Sequence, residues 1–467
     1  MKILIASFML LSNIGFEWLD THFSAYDKMQ KQIHEYAEPC YMEHKSSALL
    51  IEHLEANGFT IERGVANIPT AFVATYGSGK PVIGILAEYD ALPGLSQDTT
   101  ACFQPRIKGG YGHACGHNLL GTGSVAAAVA VSKWLKEGHS GTIKLFGCPA
   151  EEGGSGKAYM VRDGVFEGVD CALAWHPARR NRILRDTYTA MVSILFDFEG
   201  KPSHAGGSPQ KGRSALDGVE AMNYMMNLNR EHFPQKSRTA YIITDGGESP
   251  SIVPAKAQVY YFLRHPDPIE LLSLAERTIR AAEGAAMGTG TKVTYKRVAG
   301  SYPILHNEHL SQMAQRNLEK VGGVHLTEAE KAYASELKRN AGHTTPVDFS
   351  LFEKVLPMAE MTTSGGSDDT GDVSQVVPLC KVETCANIIG AHTWHFSSIS
   401  GTTIGTKALV NGAKAIYLTI VELFEKPKEL KAVREEFEAV RGKEYKHQPL
   451  AGNTPPIDFF INSASGK

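Results

Sequence analysis

The stretch "PVIGILAEYDAL" at residues 81–92 decides the architecture. It is apolar at nearly every position rather than at alternate ones, the pattern of a strand buried on both faces. It ends on an acid, Asp90. The next segments repeat the arrangement. "GTGSVAAAVAVSKWLKEG" (121–138) reads as a helix rich in small residues, "GTIKLFGCPAEE" (141–152) as a strand, "GKAYMVRDGVF" (156–166) as a helix and "VDCALAWHP" (169–177) as a strand. Strands alternating with helices predict an α/β fold, a mostly parallel sheet with helices on both faces. Upstream, 28–58 reads as helix, broken at Pro39 and stopped at Gly58.

The rhythm changes near residue 187. Strands at 189–200, 238–247, 257–266 and 292–300 accompany helices at about 214–233 and 268–286. This order predicts an inserted α+β domain over 187–303, with residues 1–186 and 304–467 forming the first domain. Beyond 303, "ETCANIIGA" (383–391) is expected to add a strand and 404–426 a strongly periodic helix. The tail, 427–467, is expected to be a surface appendage.

Composition agrees with a globular protein. The 467 residues are 43% hydrophobic and 21% charged, too long a chain for one ordinary core. A net charge of −3 offers no basic field for nucleic acid. The seven cysteines, at 40, 102, 115, 148, 171, 380 and 385, show no disulfide framework. Residues 1–18 carry Lys2 and an apolar run that resembles a signal peptide without a clear cleavage site. Cytoplasmic residence is the expectation, with a periplasmic or secreted location if that segment is a signal. No other segment approaches membrane length.

Several reactive side chains stand at strand or loop ends, where ligands collect in open parallel sheets. These are Asp90, the pair Glu151–Glu152, His176, and Cys115 with His117 in "YGHACGHNLLG" (111–121). If that last stretch is extended, His113, Cys115 and His117 leave on one face. Taken singly, each group has an ordinary explanation: a buried thiol, a hydrogen-bonded imidazole, a solvated glutamate turn. Together they supply the donors that first-row metals take. Adjacent glutamates on an extended backbone diverge, leaving one for a metal and one free as a base. "GAHTWHF" adds His392 and His395 after the last expected strand.

"GHACGHNLLG", "PAEEGGSGKAYMVRDGVF", "AWHP" and "KPSHAGGSPQKGRSALDGVEAM" together resemble the dinuclear metallo-aminoacylase and carboxypeptidase-G superfamily, in its amidohydrolase branch with a cysteine metal ligand. Asn118, "GGSDDTGDVSQVVP" (365–378) and "HTW" before "GTTIGTKALVNGAK" are most similar to the aminobenzoyl-glutamate hydrolase B-subunit group.

The resemblance implies two divalent cations, manganese first and zinc as the alternative that thiolate softness favours. It implies Cys115 as the bridging ligand, with His117, Glu152, His176 and His392 as terminal ligands and His395 as second choice for the last. It implies Glu151 as general base and Asp90 as the acid that orients site groups. It makes the insert a lid and dimerisation domain. There His204 would reach a neighbouring site to stabilise an oxyanion, and Arg264 would hold a substrate carboxylate. Ser251 replaces an asparagine common in relatives and would lie near substrate, and Asn118 replaces a common aspartate.

The implied activity is hydrolysis of an N-acyl or N-aroyl amino acid, p-aminobenzoyl-glutamate foremost, at a carbon–nitrogen bond other than a peptide bond. The small-molecule substrate would carry a free carboxylate, and the partner would be a second copy or a related subunit. An N-acyl-amino-acid amidohydrolase or dipeptidase would use the same site. Two readings compete from other classes: a thiol hydrolase with Cys115 as nucleophile and His113 or His117 as base, and a non-catalytic subunit that binds metal or ligand.

Overall fold

The computed structural model describes residues 13–464, so most of the signal-like segment lies outside the described residues. Eleven strands form two sheets among them: β1 Thr60–Arg63, β2 Phe72–Ser78, β3 Val82–Ala87, β4 Gly141–Gly147, β5 Cys171–Ala178, β6 Arg182–Ile183, β7 Ala190–Glu199, β8 Arg238–Asp245, β9 Lys256–His265, β10 Lys292–Ser301 and β11 Leu379–Cys385. The larger sheet runs β1-β2-β4-β3-β5-β11-β6. Its centre, β4-β3-β5-β11, is parallel, and β2 and β6 flank that centre antiparallel.

The near-continuous apolar runs are explained by burial on both faces. Ile83, Ile85, Leu173 and Trp175 pack into a core shared with helices His117–Lys136 and Thr403–Glu425. Their neighbours Leu86, Ala172 and Ala174 pack into a second core with Tyr159 and Met160 of helix Gly156–Arg162. The small residues of helix His117–Lys136 permit close approach to the sheet. A Cβ on Gly121 would lie 2.7 Å from the Glu88 carbonyl oxygen, so glycine there lets the helix start press against the end of β3.

The second sheet, β10-β7-β9-β8, is antiparallel and drawn wholly from residues 190–301. Helices Ala215–Asn229 and Pro268–Thr289 cover one face, burying Ala257, Val259, Tyr261 and Leu263 of β9. The alternate β9 residues Phe262 and Arg264 turn to the other face and line a cavity beside the first sheet. No helix among the described residues is long and apolar enough to cross a membrane.

Two expectations need correction. The strand expected at 383–391 lies at Leu379–Cys385. The chain leaves the sheet after it and turns at His392, whose φ is 58°. The tail is not a loose appendage either. Leu430, Val433, Leu450 and Ala451 are buried, Phe459 packs on Tyr260 of β9 and Phe460 on Tyr41. Leu430 and Val433 join the core of the first sheet, and the apolar residues from 450 to 460 find a seam between the two sheets that the tail's own sequence does not reveal.

Candidate active site

The site is assembled at the ends of β3, β4, β5 and β11. Beyond β3, Glu88 and Asp90 are both about 1% exposed. Beyond β4 the chain enters a tight turn with Ala150 at φ 61°, Gly153 at φ 104° and Ser155 at φ 53°. Non-glycine residues held in this region store strain that the surroundings must offset. Here buried Glu43 accepts a 2.9 Å hydrogen bond from the Ala150 amide.

That turn overturns one expectation. The backbone is not extended, and Glu151 and Glu152 do not diverge. Both carboxylates lie 4.0 Å from His117 Nε2.

A second expectation also fails in part. His113, Cys115 and His117 do not share a face, because Gly116 takes φ 79° and the helix begins at His117. His113 points away and bonds the Ile33 carbonyl through Nε2 at 3.1 Å. It is a buried structural residue, and the thiol-hydrolase reading loses that base.

The remaining groups converge. Cys115 Sγ lies 3.5 Å from His176 Nε2, and His392 Nε2 lies 3.6 Å from a Glu152 oxygen. Ligand atoms of Cys115, His117 and His176 fall within 4.8 Å of one another, as do those of Cys115, Glu152 and His392, and those of His117, Glu151 and Glu152. His176 Nδ1 faces the Pro177 carbonyl at 2.8 Å, which leaves Nε2 as a lone pair. His117 Nδ1 faces Asp90 at 2.8 Å, and Asp90's other oxygen accepts from the Glu152 amide at 2.8 Å. Asp90 thus orients one imidazole and one glutamate together. His395 is buried, outside the cavity lining, with neither ring nitrogen partnered, so His392 is the late histidine that the fold brings to this cluster.

The electrostatics call for cations. Burial, then the charge on Glu152, pushes Glu151 well above the usual carboxylate range. Burial raises Glu152 to about 7, against the pull of His117. Burial, then the two glutamates, raises the Cys115 thiol far above its ordinary value, which further weakens the metal-free thiol-hydrolase reading. Burial holds His176 neutral, down at about 3. Glu152 Oε1 and His117 Nε2 are buried without hydrogen-bond partners. Against burial, the Asp90, Glu88 and Glu152 carboxylates raise His117 to about 9, so a cation there would replace its proton. A thiol, the neutral imidazoles of His176 and His392, and carboxylates with orphaned atoms turned inward fit a pair of divalent cations.

The cluster opens into a cavity of about 650 Å³ that Leu184, Tyr188, Met191 and Phe262 line on the apolar side. Arg264 lines it too, forms no ion pair among the described residues, and leaves its Nε unpartnered. Among the described residues, the surface salt bridge that would have explained Arg264 otherwise is absent. His204 and Ser251 do not line this cavity. Both are exposed, on two adjoining loops of the 190–301 region, where the Ala205 amide donates to the Ser251 carbonyl at 3.0 Å and His204 Nδ1 accepts from the Gly207 amide at 3.0 Å. Asn118 is buried and bonds Gln30 and Ser400, a packing role.

Sequence reasoning missed a set of buried charges behind the cluster. Lys157 Nζ sits 2.7 Å from Glu88 and 2.6 Å from Asp369, and Lys381 Nζ sits 2.5 Å from Asp368. Glu88 was within reach of strand alternation, two positions before Asp90 on the same face. Asp368 and Asp369 stood in "GGSDDTGDVSQVVP" without a role.

Comparison with known proteins agrees with this geometry. The chain is 37% identical to the B-subunit of p-aminobenzoyl-glutamate hydrolase from Escherichia coli (strain K12), over 92% of this chain and 95% of that one. It is 27% identical to Xaa-Arg dipeptidase of Mus musculus, over 92% and 93%. A dinuclear metal binding peptidase of the M20 family from Bacillus subtilis superposes with a TM-score of 0.54 at 18% identity, covering 86% of this chain and 99% of that one, and shares the fold. The profile described as peptidase family M20/M25/M40 matches residues 84–422. With that match over most of its length, the chain belongs to peptidase family M20/M25/M40, a family of metal-dependent hydrolases.

Proposed function

We propose that this cavity hydrolyses the amide bond of an N-acyl or N-aroyl amino acid bearing a free carboxylate, with p-aminobenzoyl-glutamate the best candidate. The observation that carries the reading is Arg264, a half-buried guanidinium without a counterion among the described residues, in the cavity that also holds Cys115, Glu151, Glu152, His176 and His392. A substrate carboxylate supplies the missing partner by a two-pronged hydrogen bond. The apolar wall of Leu184, Met191 and Phe262 suits an acyl or aroyl group.

Cys115, His117, Glu152, His176 and His392 would hold two divalent cations, manganese first and zinc second. Bound there, the cations supply Lewis acidity, polarising an amide carbonyl and acidifying water. Glu151, with its carboxyl held above the usual range, takes a proton from water and returns it to the departing amine. His204, exposed and outside its own chain's cavity, serves the oxyanion of a second subunit. The partner is a second copy or a related subunit, docked through the lid edge at β8, where Ile242 and Ile243 are 62% and 45% exposed. Similarity to a protein named as one subunit of a hydrolase supports a two-chain assembly. The dipeptidase reading keeps the same chemistry and changes only the group on the apolar wall; its support is the similarity to Xaa-Arg dipeptidase.

The test is to measure metal in purified protein, strip it, and assay p-aminobenzoyl-glutamate, N-acyl amino acids and dipeptides with manganese or zinc restored. Cleavage restored by metal and strongest on p-aminobenzoyl-glutamate supports the reading. Equal cleavage of carboxyl-amidated substrates removes the role given to Arg264, and a protein that binds cations without turnover returns the non-catalytic reading.

A further inference from the structure

One close contact of His117 lies outside the five residues assigned to the cations. His117 Nε2 and Glu88 Oε2 lie 3.3 Å apart, both fully buried, and neither has a hydrogen-bond partner. Nδ1 of that imidazole is committed to Asp90 at 2.8 Å, which leaves Nε2 as the ring atom that can take a cation in place of a proton. Positive charge must lie between the nitrogen and the carboxylate oxygen, a proton on Nε2 in the metal-free protein or a cation in the loaded one, and the spacing suits the cation. Two ligands bonded to one ion at 2.0–2.2 Å in adjacent positions stand about 3.0–3.4 Å apart. Glu88 meets that spacing from His117. Glu151 and Glu152, at 4.0 Å from the same nitrogen, are farther away.

The rest of Glu88 is fixed in place for this task. Its Oε1 receives Lys157 Nζ at 2.7 Å. Lys157 is fully buried and also grips Asp369, through Nζ at 2.6 Å and through its own amide at 2.9 Å. One carboxylate oxygen is therefore anchored and the other is free and aimed at His117. Lys157 cannot reach both oxygens without abandoning Asp369, so the free oxygen is not a lapse in an ordinary ion pair.

We infer that Glu88 is a further ligand of the cation bound at His117, held in position by the buried Lys157–Asp369 pair. The inference rests on the dinuclear reading above and goes beyond its ligand set. Asp369 and Lys157 are positioning residues: they hold Glu88 by one oxygen and leave its second oxygen free.

The experiment counts ions per chain and measures their dissociation constants by competition with a chromophoric chelator. It compares the unaltered protein, Glu88→Gln, Lys157→Met and the double variant. The visible spectrum of the cobalt(II)-loaded form reports the coordination shell independently of turnover. The unaltered protein is expected to hold two ions. Glu88→Gln should weaken one of them by at least about tenfold and change the cobalt bands. The double variant removes a matched pair of buried charges, so it tests the same point if the single variant fails to fold. Lys157→Met, with the carboxylate intact, should still hold two ions. Two ions bound by Glu88→Gln or by the double variant with unaltered affinity and spectrum would overturn the inference while the dinuclear reading stands. An unaltered protein that binds no ion overturns both.

Discussion

The two sheets are buried differently, and the difference divides the work. The seven-stranded sheet is covered on both faces, and its parallel strands deliver Asp90, Glu151, Glu152 and His176 to one end. Groups on such a frame are held by hydrogen bonds to other buried groups, as Asp90 holds His117 and Glu152. The four-stranded sheet is covered by helices on one face only. Its other face supplies Phe262 and Arg264 to the same cavity, while the two loops carrying His204 and Ser251 stay exposed. In our proposal the sheet covered on both faces provides the reactive groups, and the half-covered one provides substrate recognition and the group donated to a partner.

Changes in the first region should affect chemistry or metal, and changes in the second should affect substrate or assembly. The largest effect is expected from Glu151→Gln. It should lower kcat by about 10²–10⁴-fold and leave the metal content unchanged. Retained turnover in steady-state assays would remove the base assignment. Next, Asp90→Asn should weaken metal affinity about 10–100-fold by loosening His117 and Glu152; unchanged affinity by chelator competition would show that these groups are held without it.

In the second region, Arg264→Ala should raise KM for substrates with a free carboxylate by about tenfold or more and spare the amidated analogues. A loss of kcat alone would instead place Arg264 in the reaction. For shared sites, mixing inactive His204→Ala with inactive Glu151→Gln should recover about a quarter of the unaltered activity, since half the dimers are mixed and each has one complete site. No recovery in a demonstrated mixed dimer would confine the chemistry to one chain.

The smallest effect is on pH dependence. Glu152 has its folded pKa raised from 4.5 to about 7. In the metal-free protein its ionisation therefore opposes folding, and stability falls as pH rises through that interval. Bound cations favour the ionised form. The gap in Tm between loaded and stripped protein should widen from about pH 5 to about pH 8. A constant gap would mean that Glu152 does not exchange a proton for metal.

The sequence by itself determined a good deal. Unbroken apolar runs such as 81–92 require burial on both faces, so they imply a parallel α/β core without any knowledge of its neighbours. Reactive residues at strand ends, together with the family motifs, named Cys115, His117, Glu152, His176 and His392 as one cluster. Tertiary structure decided what local pattern cannot carry. The strained turn at Ala150 aimed two adjacent glutamates the same way, against the alternation of an extended chain. The turn at Gly116 sent His113 away from Cys115 and His117. Lys157 is solvated on most helices, yet here it is buried between Glu88 and Asp369, from segments 281 residues apart in the chain, 369 minus 88. A charge can be stable in a core only when its counter-charges arrive from elsewhere in the fold, so its role is not visible in the residues beside it.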